Sequence, residues 1–391
     1  MIKQHQIITM TWNELPSKLT SYRLLDEIYK RVKPSLSSIK REVDEPLILY
    51  GAGNLGKMAK RYFDKLDIPI SFILDKNSDL VDLDGVRVFR SFDDKNKKDY
   101  LLVICIVTSS YYEISSQLKS EGWTDIVPFY DITLAYQDKH PLNNGWCTGL
   151  LDREDMEGME YVLSNLQDNI SCAHYLQFIA YHSLREEWIF KDAPIENNDR
   201  YFIPEIVSIL NDHETFVDIG AHHGEISKKF MDIVNDRYKY IYMFESDIDN
   251  AEYIRDYLKK YYPLYIDLYP NALGSINEKR KFYSDSGYSS QLSKLGNEIV
   301  CVSKLDDFKI NSSFIKIHTE GNEDDVIKGG LETIKKNRPI ISTTCYHNRK
   351  GLWQLPRLLI GSLENYIFYF RLHSWYGTGA LIYAIPKERL K

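Results

Sequence analysis

The nine residues Phe216–Gly224, reading FVDIGAHHG, constrain the fold of this chain more than any other stretch. An apolar run enters them and stops on Asp218; Gly220 and Gly224 then open a helical segment, Glu225-Ile226-Ser227-Lys228-Lys229-Phe230-Met231. Strand, glycine turn and helix start make the corner at which α/β sheets hold phosphate or ribose, because free backbone N–H groups point out of the helix end. A second apolar run, Tyr240–Phe244, closes on Glu245. That is roughly 20 residues beyond the turn, where a carboxylate accepts hydrogen bonds from ribose hydroxyls. The third glycine of the dinucleotide fingerprint is absent, and Asp218 precedes the turn, which favours S-adenosylmethionine over NAD. The expected cofactor contacts are Asp218, Gly220, Ala221, His222 and Gly224 in the turn, Glu245 and Ser246 after the second strand, and Asn271 and Ala272 after the third. The alternative is an ordinary βα turn without a ligand, since short glycine motifs are common.

A chain of 391 residues has room for two or three domains at roughly 100–200 residues each. A net charge of −7 argues against general affinity for nucleic acid or anionic membranes. The five cysteines form no CxxC pair and read as reduced residues of a cytoplasmic protein. No signal peptide is read at the N-terminus, and apolar runs such as Leu101–Val107 are too short to span a bilayer. No metal-binding signature of HxxxH or CxxC type is present, so no metal site is expected.

Four segments are expected. Residues 1–44 form an N-terminal helical arm with Leu24, Leu25, Ile28, Tyr29 and Val32 on one face. Residues 45–131 form a small Rossmann-like α/β domain with strands at 47–50, 70–74, 101–107 and 125–128. Its Gly51-Ala52-Gly53-Asn54-Leu55-Gly56 is a full GxGxxG after a strand, with Asp75 at the tip of the next. Gly51, Gly53, Asn54, Gly56 and Asp75 are therefore candidate nucleotide contacts, or the glycines serve only the turn and helix packing. Residues 132–200 read as a helical bridge, helical from Asp152 to Trp188, with His174 and His182 as surface or packing residues. Residues 201–391 form a larger α/β domain. Two closing apolar runs, Tyr366–His373 and Ala380–Ala384, have no helix between them and predict a parallel sheet with an antiparallel last strand.

The second domain resembles the FkbM family of S-adenosylmethionine-dependent methyltransferases. The matching pieces include Tyr201-Phe202 with Pro204, FVDIGAHHG at 216–224, FESDIDN at 244–250, NALG at 271–274 and SDSGYSS at 284–290. Further on come SKLDD at 303–307, IKIHTEGNE at 315–323, CYHNRKGLW at 345–353, FRLHS at 370–374 and LIYA at 381–384. Residues 46–131 also look like the Rossmann-like domain that precedes the methyltransferase in some longer members. The resemblance implies methyl transfer to oxygen, on a hydroxyl of a sugar, glycan precursor or natural-product scaffold. The family's IKxDxEG motif here carries His318 in place of Asp.

Methyl transfer is displacement at an activated sulfonium, so the protein must align the acceptor oxygen and help remove its proton. The groups at the expected strand tips are His318, Glu320, His347 and His373. His347 is the preferred base, with His318 and Glu320 as further catalytic candidates. Arg371 is the candidate for an anionic part of the acceptor, which could be nucleotide-linked; His373, also a substrate-side candidate, is read as a hydrogen-bonding residue behind the contacts. A non-catalytic nucleotide-binding protein that keeps the cofactor fold is the rival reading; a homo-oligomer is compatible with either.

Overall fold

The computed structural model describes residues 7–33, 41–92, 96–261, 265–284 and 289–390. The chain divides into two compact units, one of residues 1–152, 173–197 and 374–378, the other of 153–172, 198–373 and 379–391. The expected bridge at 132–200 is thus apportioned between them.

The first unit contains a six-stranded sheet in the order Asp82–Leu83, Val86–Phe89, Ile70–Leu74, Leu47–Tyr50, Leu101–Ile104, Ile126–Pro128. Its strands run parallel except for Asp82–Leu83, which pairs antiparallel with Val86–Phe89 in a hairpin. The sequence reading missed that hairpin, although Asp84-Gly85 between its strands is a hairpin turn signal. The central strand is buried on both faces: Leu47 and Leu49 enter one apolar core, Ile48 and Tyr50 the other. Helix Lys18–Arg31 is capped by Ser17 and buries Leu24, Leu25 and Ile28, while Tyr29 is exposed. The expected helix through Trp188 ends instead at Leu184. Arg185 takes a left-handed φ of 53°, and Glu186–Phe190 becomes a strand paired in parallel with Ile8–Trp12. His174 and His182 are packing residues, buried with ring nitrogens on backbone carbonyls.

The second unit is built on a seven-stranded sheet. Its strands are β1 Thr215–Ile219, β2 Tyr240–Phe244, β3 Ile266–Tyr269, β4 Phe314–Ile317, β5 Ile340–Thr344, β6 Tyr366–Leu372 and β7 Ala380–Pro386. Their order is β3-β2-β1-β4-β5-β7-β6. β1 to β5 run parallel, and β7 lies antiparallel between β5 and β6, as the two closing apolar runs predict. A separate four-stranded sheet includes Glu278–Tyr283 and Glu298–Ser303 as an antiparallel pair. Of the SDSGYSS stretch, Asp285–Tyr288 lie outside the described residues. Phe216, Phe230, Phe314 and Ile340 are fully buried in the core of this unit.

Candidate functional site

β1, β2, β4 and β5 end in register at one edge of the sheet, so the residues just after them converge. Gly220 has φ +74°, and a Cβ on it would lie 1.9 Å from the carbonyl oxygen of His318; only glycine lets the turn after β1 pass so close to the end of β4. Gly224 also has positive φ and caps the helix Glu225–Ile233.

A cavity of ≈ 300 Å³ opens at this edge. One wall holds Gly220, Ala221, His222, Glu245, Ser246, Asn271 and Ala272. Glu245 is buried; its Oε2 accepts from the His222 N–H at 2.6 Å and its Oε1 from the Asp247 N–H at 2.8 Å. Burial pushes its carboxyl up to about 7 against those two bonds.

Asp218 and Gly224 do not line the cavity. Asp218 is fully buried, with Lys316 Nζ at 2.8 Å and the Ser227 hydroxyl donating to it at 2.7 Å. Lys316 Nζ also donates to the Gly220 carbonyl at 2.6 Å. The expected direct contact by Asp218 is corrected: it holds the lysine that braces the turn. Lys316 was missed, although a lysine inside the apolar strand Phe314–Ile317 signals a buried charge that needs a partner.

The opposite wall carries Tyr201, His318, Glu320 and Arg200. His318 Nδ1 is 2.7 Å from the Tyr201 hydroxyl, and its Nε2 is 2.9 Å from Glu320 Oε1 and 3.3 Å from the Tyr346 hydroxyl. Burial pushes the His318 imidazole down to about 3, despite Glu320 beside it, so the ring is neutral. Burial alone would raise the Glu320 carboxyl, but His347 and His318 hold it below the usual carboxylate range.

His347, the expected base, is not on the cavity wall. Its side chain is 2% exposed, with Nδ1 2.8 Å from Glu323 Oε1 and Nε2 3.3 Å from Glu320 Oε1. Burial disfavours its charge, but the two carboxylates outweigh burial and raise it well above the ordinary histidine value. An imidazolium cannot accept the acceptor's proton, so that assignment is corrected. Arg371 is corrected as well: its guanidinium is held by Asp168 at 2.7 Å, Glu205 at 2.9 Å and the Ser171 hydroxyl at 2.5 Å, away from the cavity. His373 lies behind the site, 2.7 Å from the Tyr383 hydroxyl, which accepts from the Tyr201 N–H at 3.2 Å. The arginine that does face the cavity is Arg200. It donates to the Tyr346 hydroxyl at 2.8 Å, and no carboxylate pairs with it among the described residues.

In the first unit, Gly51, Gly53, Asn54 and Asp75 meet at the strand–helix corner. Asp75 Oδ2 accepts from the Ala52 N–H at 2.7 Å, the counterpart of Glu245 accepting from His222. Gly56 serves packing, since a Cβ there would lie 2.1 Å from the Gly51 carbonyl oxygen.

The sheet order, the glycine turn and the acid at the tip of β2 define the second unit as a Rossmann-like methyltransferase fold. Residues 218–369 match the Methyltransferase FkbM domain. The crystal structure of Methyltransferase FkbM from Methylobacillus flagellatus KT is similar in fold, with TM-score 0.60 and 16% identity over 94% of this chain and 98% of that one. A precorrin-6y C5,15-methyltransferase from Geobacter metallireducens GS-15 matches at TM-score 0.30 and 16% identity, over 46% of this chain and 84% of its own. No curated protein matches the chain in sequence. Among the described residues, no helix is long and apolar enough to cross a membrane.

Proposed function

We propose that the FkbM domain transfers the methyl group of S-adenosylmethionine to a hydroxyl oxygen of a sugar, glycan precursor or natural-product scaffold. The observation that carries this reading is one cavity with Glu245 and the glycine turn on one wall and His318 and Glu320 on the other. Glu245 takes the ribose hydroxyls, leaving the sulfonium end to reach toward Tyr201 and His318. The C–S bond breaks as the acceptor oxygen forms its bond to the methyl carbon, the electron pair stays on sulfur, and the proton leaves at the His318–Glu320 end. The protein's main contribution is alignment of oxygen, methyl carbon and sulfur. The test is transfer of labelled methyl from S-adenosylmethionine to a panel of hydroxylated acceptors. Glu320→Gln is expected to lower turnover by about 10²–10⁴-fold with little change in cofactor affinity; transfer to amines alone would overturn the oxygen assignment.

The first unit is read as an auxiliary nucleotide site, supported by the matching Ala52–Asp75 and His222–Glu245 hydrogen bonds in the two units. Nucleotides and nucleotide-sugars should raise the melting temperature of the full chain, and Asp75→Ala should abolish that rise. No shift with any of them leaves the corner a structural one.

A further inference from the structure

We propose that His318, Glu320 and His347 bind a divalent transition-metal ion beside the cavity. Among the described residues, two groups bring three metal-type donors within 4.8 Å of one another: this one, and His222, His223 and Glu225. The second rests on an exposed carboxylate, Glu225. The first has a built environment.

Its three donor atoms converge. His318 Nε2 and His347 Nε2 lie 2.9 and 3.3 Å from the same oxygen, Oε1 of Glu320. Ligands bound to one ion at about 2.0–2.2 Å stand about 3.0–3.5 Å apart, so these separations are already close to those of a coordination shell. Each ring also has a polar partner beside its other nitrogen, where metal-binding histidines carry their supporting contact. His318 Nδ1 meets the Tyr201 hydroxyl at 2.7 Å, and His347 Nδ1 faces Glu323 Oε1 at 2.8 Å. That Glu323 oxygen is held in turn by the Thr344 hydroxyl at 2.9 Å and the Thr319 N–H at 3.1 Å. Neither ring nitrogen of the buried His347 makes a well-directed hydrogen bond. A bound cation would take the place of the proton on His347 Nε2 and lie among the two Nε2 atoms and Glu320 Oε1.

Two imidazoles and one carboxylate suit Zn²⁺, Fe²⁺, Mn²⁺ or Co²⁺ better than Mg²⁺ or Ca²⁺. His318 and Glu320 line the cavity, so remaining positions on the ion would face it. On the methyltransferase reading proposed above, an acceptor hydroxyl bound there would lose its proton more readily.

The test is titration of the chelator-treated full chain with Co²⁺, followed by the visible absorption that reports nitrogen ligation. One equivalent should bind. His318→Ala and His347→Ala should each abolish the band. Tyr201→Phe and Glu323→Gln, which position the rings, should weaken binding by about 10–100-fold, and His223→Ala should leave the band unchanged. Circular dichroism checks that each variant is folded. Absence of a band in the unaltered protein overturns the proposal whatever the variants do, as does a band that survives His318→Ala and His347→Ala or disappears with His223→Ala. Calorimetry with S-adenosylmethionine on the same samples separates the two readings. Cofactor binding without Co²⁺ binding leaves the methyltransferase reading standing and removes the metal; Co²⁺ binding without cofactor binding does the reverse.

Discussion

The carbonyl of His318 sits so close to Gly220 that a Cβ on the glycine would be 1.9 Å from its oxygen. The glycine turn on one wall of the cavity and the residue on the other therefore share one contact. Gly220→Ala must relieve that overlap and also hold φ +74°, which disfavours any side chain. It is expected to cost at least about 2 kcal/mol of stability and to weaken cofactor binding, read by urea denaturation and by calorimetry on the folded fraction.

On the proposed reading, Glu245 links cofactor binding to pH. Its carboxyl is raised to about 7, chiefly by burial, with Asp247 and His222 as the ionisable groups acting on it. Because the folded pKa lies above the unfolded one, the folded state holds a proton that the unfolded chain lacks between the ordinary carboxyl value of 4.5 and about 7. Stability from this group is thus lost as pH rises through that window. Ribose hydroxyls donate to the ionised form, so binding expels the proton. Affinity should rise from pH 5 to about 7 and then level off. Calorimetry at pH 6 in buffers of different ionisation enthalpy should show proton release that Glu245→Gln removes.

The glycine turn, Glu245 and the closing antiparallel strand were legible in the sequence because each is local: an apolar run, a turn residue and a strand end within a few positions. The far wall was not. Tyr201 and His318 are 117 residues apart, and their contact depends on the sheet placing β4 beside β1. His347 was misread for a related reason. Its place after β5 was legible, but Glu320 and Glu323, which make it a cation, follow β4. Arg371 was misread because Asp168 and Glu205, which neutralise it, lie 203 and 166 residues away.

Two arginines should behave oppositely. Arg371→Ala strands Asp168 and Glu205 and should cost about 3–5 kcal/mol of stability, with no change in KM for the acceptor in the folded protein. Arg200→Ala removes the cation at the cavity wall and should raise the KM of an anionic ligand with a smaller loss of stability. Thermal melts and steady-state kinetics on both variants check the pair.

His347→Ala, in protein kept free of metal by a chelator, leaves Glu320 and Glu323 buried without their shared cation. The expected loss is about 3–5 kcal/mol, measured by chemical denaturation. His347→Lys, which restores a positive charge, should recover part of it.

Calorimetric titration of the full chain and of Glu245→Ala with S-adenosylmethionine tests the central claim most directly. The account predicts one equivalent bound by the unaltered protein and an affinity about 10–150-fold weaker in the variant, the loss of hydrogen bonds worth about 1.5–3 kcal/mol to a charged group. No binding by the unaltered protein, or equal affinity in the two, would contradict it.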